Sequence, residues 1–128
     1  MTEPIFLGLD RVMRLHRELI ERYGGIDGIR DVNLLQSAVS QPMATFGGDY
    51  LHAFPFEMAG AYLFHIVQNH PFLDGNKRTG AASAIVFLAM NDIEIDNDEK
   101  GLVDITLRTA TGEASKEAIA EFFRSRAH

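Results

Sequence analysis

One segment of this chain holds most of the side chains that could do chemistry, the run His70–Gly80 with the sequence HPFLDGNKRTG. It combines an imidazole, a carboxylate, an amide and two fixed cations, and apolar runs precede and follow it. A polar loop between two buried helices, with its charges at the start of the second helix, is suited to binding phosphate. The segment therefore indicates phosphate chemistry.

The cationic part of this segment falls at the start of the predicted helix that follows it. The first N–H groups of a helix have no intrahelical partner, and the helix dipole adds positive charge there, so such an end binds anions. Lys77 and Arg78 are unfavourable at this end unless an anion is present. Because a bound phosphate would remove this conflict, the pattern favours a functional site.

Three side chains of the segment allow alternative interpretations. Asp74 can be a turn residue before glycine, or a ligand for Mg²⁺, which takes one or two carboxylates together with phosphate and water. Its neighbours Lys77 and Arg78 favour the metal-binding alternative. His70 can cap the preceding helix or act as a general base toward a hydroxyl, because imidazole exchanges a proton near neutral pH. Asn76 can cap the helix or orient a phosphate or the loop backbone.

The spacing of apolar residues predicts an all-α fold of about six helices. Pro71 ends the third helix. The fourth begins near Asn76 and is apolar on nearly all sides, as expected of a central buried helix. Asn97 and Ser115 are predicted to cap the last two helices. His16, on the apolar stripe of the first helix, is predicted to be structural.

A short hairpin is predicted between the second and third helices. Gly47 and Gly48 follow each other there, flanked by Phe46 and Tyr50, and paired glycines are typical of a tight hairpin turn. The alternative is a plain surface loop. The segment comes just before the third helix, so a hairpin here could lie over the residues that this helix delivers.

Composition limits the class of protein. At 128 residues and 46% hydrophobic, the chain is predicted to fold as one domain, residues 1–128. It has no cysteine, which excludes disulfides and a cysteine nucleophile and fits a cytoplasmic location. The net charge of −6 argues against DNA binding, and no apolar run is long enough to cross a membrane. The cations at positions 11, 14, 17, 22 and 30 are predicted to form a solvated surface.

The run His70–Arg78 resembles the signature of the Fic/Doc superfamily, H-x-F-x-D/E-G-N-G-R-x-x-R. The more similar branch is that of the death-on-curing (Doc) toxins, which carry lysine at the position of Lys77, where Fic proteins carry a second glycine. Segments 23–25 and 45–48 are also similar to Doc proteins, so the resemblance covers nearly the whole chain. It implies the Fic fold, in which a central buried helix follows the motif loop and a short hairpin forms a flap.

The resemblance implies a transferase that uses ATP as substrate together with Mg²⁺. Fic members transfer AMP to a protein hydroxyl, whereas Doc members transfer the γ-phosphate to a threonine of elongation factor Tu and arrest translation. By position in the motif, the catalytic residues are His70, Asp74, Lys77 and Arg78, with Asp74 as the metal ligand. The implied phosphate-binding residues are Gly75, Asn76, Lys77, Arg78 and Thr79. The implied target-aligning flap is Thr45, Phe46, Gly47, Gly48, Asp49 and Tyr50.

Departures from the Fic pattern bear on which of the two reactions the resemblance implies. Lys77 fills the space that ATP phosphates occupy in the AMP-transferring pose, and Ala81 replaces the second arginine, so both favour phosphate transfer. Gly75 keeps AMP transfer open as the alternative, because the best-known Doc motif has alanine there. A second alternative is a non-catalytic protein whose helical groove captures a peptide. The implied partners are elongation factor Tu as target and an antitoxin that covers the active-site groove.

Overall fold

A computed structural model describes residues 3–128, which form six α-helices and one two-stranded hairpin. The helices are α1 (Leu9–Tyr23), α2 (Val32–Ser40), α3 (Phe56–Asn69), α4 (Asn76–Met90), α5 (Glu99–Ala110) and α6 (Lys116–Ser125). The strands are β1 (Thr45–Phe46) and β2 (Asp49–Tyr50), and a 3₁₀ turn, Gln41–Met43, follows α2. This confirms the all-α prediction. None of the helices in the described residues is long and apolar enough to cross a membrane.

The hairpin forms where the paired glycines predict it. Thr45 pairs with Tyr50 and Phe46 with Asp49 in antiparallel register. Gly47 and Gly48 make the turn, with φ of 61° and 90°. Glycine adopts positive φ at both turn positions without steric cost, and such a turn matches the twist of the two strands.

The core is built around α3, which packs chiefly against α4 and α6. Met58, Tyr62, Leu63 and Ile66 have no exposed surface. Two glycines allow close helix packing, because a Cβ atom at Gly80 of α4 would lie 2.8 Å from Val67, and one at Gly60 of α3 would lie 3.2 Å from the Lys116 carbonyl. The close approach of α3 and α4 fixes the two ends that the motif segment joins.

Side chains cap the N-termini of three of the helices, α2, α5 and α6. Asp31 caps α2 by accepting from the N–H groups of Asn33 and Leu34, and Ser115 caps α6 as predicted. The predicted cap of α5 is wrong by one residue, because Asp98 rather than Asn97 accepts from the Gly101 N–H.

Candidate active site

The motif connector, which we define as residues 70–75, joins α3 to α4 and is held by the loop between α1 and α2. Phe72 of the connector and Ile29 of the loop form an antiparallel bridge. Backbone hydrogen bonds of 2.7–3.0 Å flank this bridge on both sides. The Phe72 ring is buried, so the connector is fixed both by backbone pairing and by one apolar anchor.

Arg30 holds the backbone of the candidate general base. Its Nε donates to the His70 carbonyl at 2.7 Å, and its Nη2 donates to the Asn69 carbonyl at 2.9 Å. These are terminal carbonyls of α3, where a cation is favourable. His70 ends the helix in the left-handed conformation, with φ of 51° and ψ of 54°. Its imidazole is exposed and has no hydrogen-bond partner in residues 3–128, so its ring nitrogens are accessible to a substrate.

Two backbone N–H groups hold the Asp74 carboxylate. Ile26 N–H donates to Oδ2 at 3.1 Å, and Gly75 N–H donates to Oδ1 at 2.9 Å. These hydrogen bonds lower the pKa of Asp74 from its ordinary value, and the bond from the Ile26 N–H contributes most. The carboxylate is therefore anionic near neutral pH, and each oxygen keeps a further lone pair. An exposed, ionised oxygen donor of this kind fits the requirements of Mg²⁺.

Asn76 acts on the backbone of the connector. Its side chain is buried and bridges both backbone groups of Phe72, accepting from the N–H at 2.9 Å and donating to the carbonyl at 3.0 Å. Among the alternatives left open for Asn76, the structure thus shows the loop-orienting one. Thr79 has no exposed surface, and its N–H donates to Gly75 O. Thr79 therefore offers no exposed atom to a phosphate, and its role in phosphate binding stays a prediction.

The N-terminus of α4 offers unpaired donors. The N–H groups of Asn76, Lys77 and Arg78 have no acceptor in the part of the chain that the structure describes. Lys77 and Arg78 are exposed and form no salt bridge with any of residues 3–128. The Arg78 guanidinium lies 4.2 Å from the centre of the Tyr23 ring. Three amide donors and two cations thus surround one helix end, an arrangement that attracts an anion.

Gly75 is explained by the local backbone. It precedes α4 in the left-handed conformation with φ of 78°, where a side chain is disfavoured. A Cβ atom there would lie 3.2 Å from Ile20 Cδ1 and 3.6 Å from the His16 ring. The glycine therefore has a structural reason that does not depend on which part of ATP is transferred.

The flap residues lie in the hairpin and are all exposed, with Phe46 at 80%. Tyr50 supports the base of the hairpin, because its hydroxyl donates to Glu3 and its ring packs edge-on against Phe6. Within residues 3–128 the two strands pair only with each other. Their outer edges therefore have free backbone groups, to which an extended peptide could add as a further strand.

The contacts of two residues with the site were not predicted from the sequence, although His16 is structural and buried, as predicted. Arg30 is exposed, as expected of a solvated cation, but it binds the end of α3. His16 is buried against Phe72 and lies 2.8 Å from the Asp74 carbonyl. Each side chain forms a hydrogen bond with a main-chain carbonyl that is far away in the sequence. Because every residue has such a carbonyl, a sequence motif does not show which one is the partner.

Known proteins resemble this chain over most of its length. Residues 6–88 match the model of the Fic/DOC family. The chain is 32% identical over 115 residues to "Protein kinase doc" of Escherichia phage P1, covering 90% of each protein. It is 36% identical over 102 residues to "Toxin Doc" of Mycolicibacterium smegmatis, covering 77% of each. The matched region holds the motif connector, the flap and the N-terminus of α4, and the chain belongs to the Fic/Doc family.

Proposed function

We propose that this chain is a Doc-type toxin that transfers the γ-phosphate of ATP to a hydroxyl of a target protein. The target we propose is a threonine of elongation factor Tu, so that the reaction arrests translation in the cytoplasm. The observation that carries the proposal is the start of α4, where Lys77 and Arg78 form no salt bridge within residues 3–128 and lie beside three free N–H groups and the anionic Asp74. The names of the two relatives, a kinase and a toxin, support it.

The N-terminus of α4 supplies what phosphoryl transfer requires. Negative charge spreads over the oxygens of the transferred group, and preorganised donors stabilise it without reorganising. The N–H groups and the side chains of Lys77 and Arg78 are such donors. Asp74 would hold Mg²⁺, which, when bound, neutralises charge between neighbouring phosphates.

His70 supplies the proton acceptor. Its exposed ring would take the proton from the target hydroxyl as the hydroxyl oxygen bonds to the γ-phosphorus and the bond to the β-phosphate oxygen breaks, releasing ADP. Arg30 fixes the backbone on which the ring stands. The target segment would pair with a free edge of the flap, which would bring its hydroxyl toward the connector.

AMP transfer is the second candidate. Its main support is the glycine at position 75, which has a structural explanation that is independent of the reaction. The glycine at position 75 is explained by its positive φ and by the close approach of Ile20. Lys77 places a charged side chain at the phosphate-binding helix end, and Ala81 leaves one phosphate contact of the Fic pattern missing. Both differences favour γ-phosphate transfer.

The test is incubation of the purified chain with elongation factor Tu, Mg²⁺ and ATP labelled at either the γ- or the α-phosphate. We expect label on the factor from γ-labelled ATP alone. Label from α-labelled ATP alone would establish AMP transfer, and absence of both labels would reject the enzyme. The control is His70→Ala, which should lower the rate by about 10²–10⁴-fold while its melting temperature stays unchanged.

An antitoxin is the proposed partner. A toxin of this kind must be neutralised in its own cell, and we propose that a segment of the antitoxin covers the candidate active site. Coexpression with the antitoxin should restore growth. Elongation factor Tu incubated with the purified toxin–antitoxin pair and labelled ATP should take up no label. This result tests whether the surface covered by the antitoxin is the active site.

A further inference from the structure

His16 is a buried side chain that the proposed mechanism does not use. Its ring is 3% exposed and stacks parallel to Phe72, with centres 3.7 Å apart and planes at 4°. Its Nε2 lies 2.8 Å from the Asp74 carbonyl oxygen. Because a carbonyl oxygen only accepts, Nε2 carries the hydrogen. Its Nδ1 faces Asp27 at 3.9 Å, beyond hydrogen-bond distance.

This hydrogen bond acts on the peptide unit that holds the candidate metal ligand. The Asp74 carbonyl and the Gly75 N–H belong to one planar peptide group. The carbonyl side accepts from His16, and the N–H side donates to Asp74 Oδ1 at 2.9 Å. Glycine lets neighbouring peptide groups rotate more freely than other residues do. A buried donor on α1 therefore fixes the plane of this peptide group, and the plane places the Gly75 N–H that holds Asp74 Oδ1, while the Ile26 N–H holds Oδ2.

We propose that His16 is a positioning residue for Asp74, which it orients through the Asp74–Gly75 peptide group. The inference rests on the proposed function, in which Asp74 holds Mg²⁺. Groups that orient a metal ligand without touching the metal typically contribute 10–100-fold to metal affinity or activity. His16 is placed to do this from a helix that contributes no ligand of its own.

Two substitutions separate the hydrogen bond from the ring contact. His16→Phe keeps a ring against Phe72 and removes the donor, whereas His16→Gln keeps an N–H donor and removes the ring. The matched control is His52→Phe, a substitution of another buried histidine whose Nε2 lies 3.2 Å from Lys116 Nζ.

The first measurement is the Gly75 amide in the nucleotide-free protein, followed by NMR shift and hydrogen exchange. We expect His16→Phe to speed the exchange of this amide, while His16→Gln and His52→Phe leave its exchange rate close to that of the parent protein; the shift of the resonance serves only to follow it, because loss of the His16 ring changes the shift as well. Because no metal or nucleotide is present, this result does not depend on the proposed function.

The second measurement is the affinity for a non-hydrolysable ATP analogue over a range of Mg²⁺ concentrations. We expect His16→Phe to raise the Mg²⁺ concentration needed for half-maximal binding by about 10–100-fold. His16→Gln should stay within about threefold and His52→Phe should not change it. This pattern would support the proposal, because only the variant without the donor loses the metal.

Three outcomes would overturn the proposal. One is a Gly75 amide whose exchange rate His16→Phe leaves unchanged. Another is Mg²⁺-dependent binding that survives His16→Phe. The third is a loss of Mg²⁺-dependent binding in His16→Gln, which would assign the effect to ring packing rather than to the hydrogen bond. This outcome can be read even if His16→Phe does not fold. If the parent protein binds the analogue independently of Mg²⁺, the metal role of Asp74 fails, and the Gly75 amide alone decides on His16.

Discussion

Replacing Asn76 by alanine should destabilise the protein, because this side chain is the partner of both Phe72 backbone groups. The two hydrogen bonds measure 2.9 and 3.0 Å. Phe72 is 1% exposed and Asn76 is 4% exposed, so water does not readily replace the lost partner. The bridge to the α1–α2 loop uses backbone groups on either side of Phe72 and leaves those of Phe72 itself to Asn76.

The expected magnitude follows from these two bonds. A buried polar group left without a partner costs about 1–3 kcal/mol, so two groups cost about 2–6 kcal/mol. Some relaxation into the space left by alanine lowers this, and we expect a loss of about 2–4 kcal/mol in the free energy of unfolding. Domains of this kind have about 5–15 kcal/mol in total. The variant should therefore fold at room temperature and melt roughly 10 °C lower.

Urea denaturation measures this loss directly. Asn76→Asp should also destabilise the protein, since it keeps an acceptor for the Phe72 N–H but lacks the donor for the carbonyl and buries a carboxylate. Lys77→Ala is the control for the free energy of unfolding, because Lys77 is exposed and surface changes usually stay within about 0.5 kcal/mol. A stability of Asn76→Ala within about 0.5 kcal/mol of the parent, with weakened nucleotide binding, would refute the reasoning and give Asn76 a direct phosphate contact.

Three further predictions concern the surroundings of the site. Gly25 has φ of 120°, and a Cβ atom there would lie 2.8 Å from Asp74 Oδ2, so Gly25→Ala should weaken Mg²⁺-dependent nucleotide binding about tenfold or more in titrations; unchanged binding would contradict it. Arg30→Lys keeps the charge but cannot donate to both the Asn69 and His70 carbonyls as arginine does, and should lower the transfer rate by up to about a hundredfold. A rate equal to that of the parent protein in the labelling assay would contradict the role of Arg30 in holding the His70 backbone. Burial, with Lys116 second, lowers the pKa of His65 to about 4. Because the unfolded imidazole titrates near pH ~6.5, the unfolded state takes up the proton first, and stability should fall as the pH drops from about 6.5 to 4. His65→Gln should show a shallower fall in urea denaturation at several pH values, and identical profiles would contradict this assignment.

Local signals explain what the sequence predicts well. Apolar spacing identifies the helices because most of them bury one stripe, and Ser115 marks the start of the last one. The hairpin turn follows from Gly47 and Gly48, since few other residues adopt positive φ in succession. The motif places the candidate groups on a connector and a helix end because its residues are neighbours in the chain.

Contacts between distant segments explain what it does not predict. Arg30 meets His70 from 40 positions away, and His16 meets Asp74 from 58 positions away. Asp98 rather than the adjacent Asn97 caps α5, and its other carboxylate oxygen accepts from Arg126. Each of these contacts depends on how the helices pack against one another, and helix packing cannot be predicted from a local sequence pattern.

The most direct test of the central claim is a structure of this chain with Mg²⁺ and a non-hydrolysable ATP analogue. The account predicts the terminal phosphate at the N-terminus of α4, against Lys77 and Arg78, with the His70 ring facing it and Asp74 on the metal. An α-phosphate beside His70, or a helix end that binds no phosphate at saturating analogue, would contradict it.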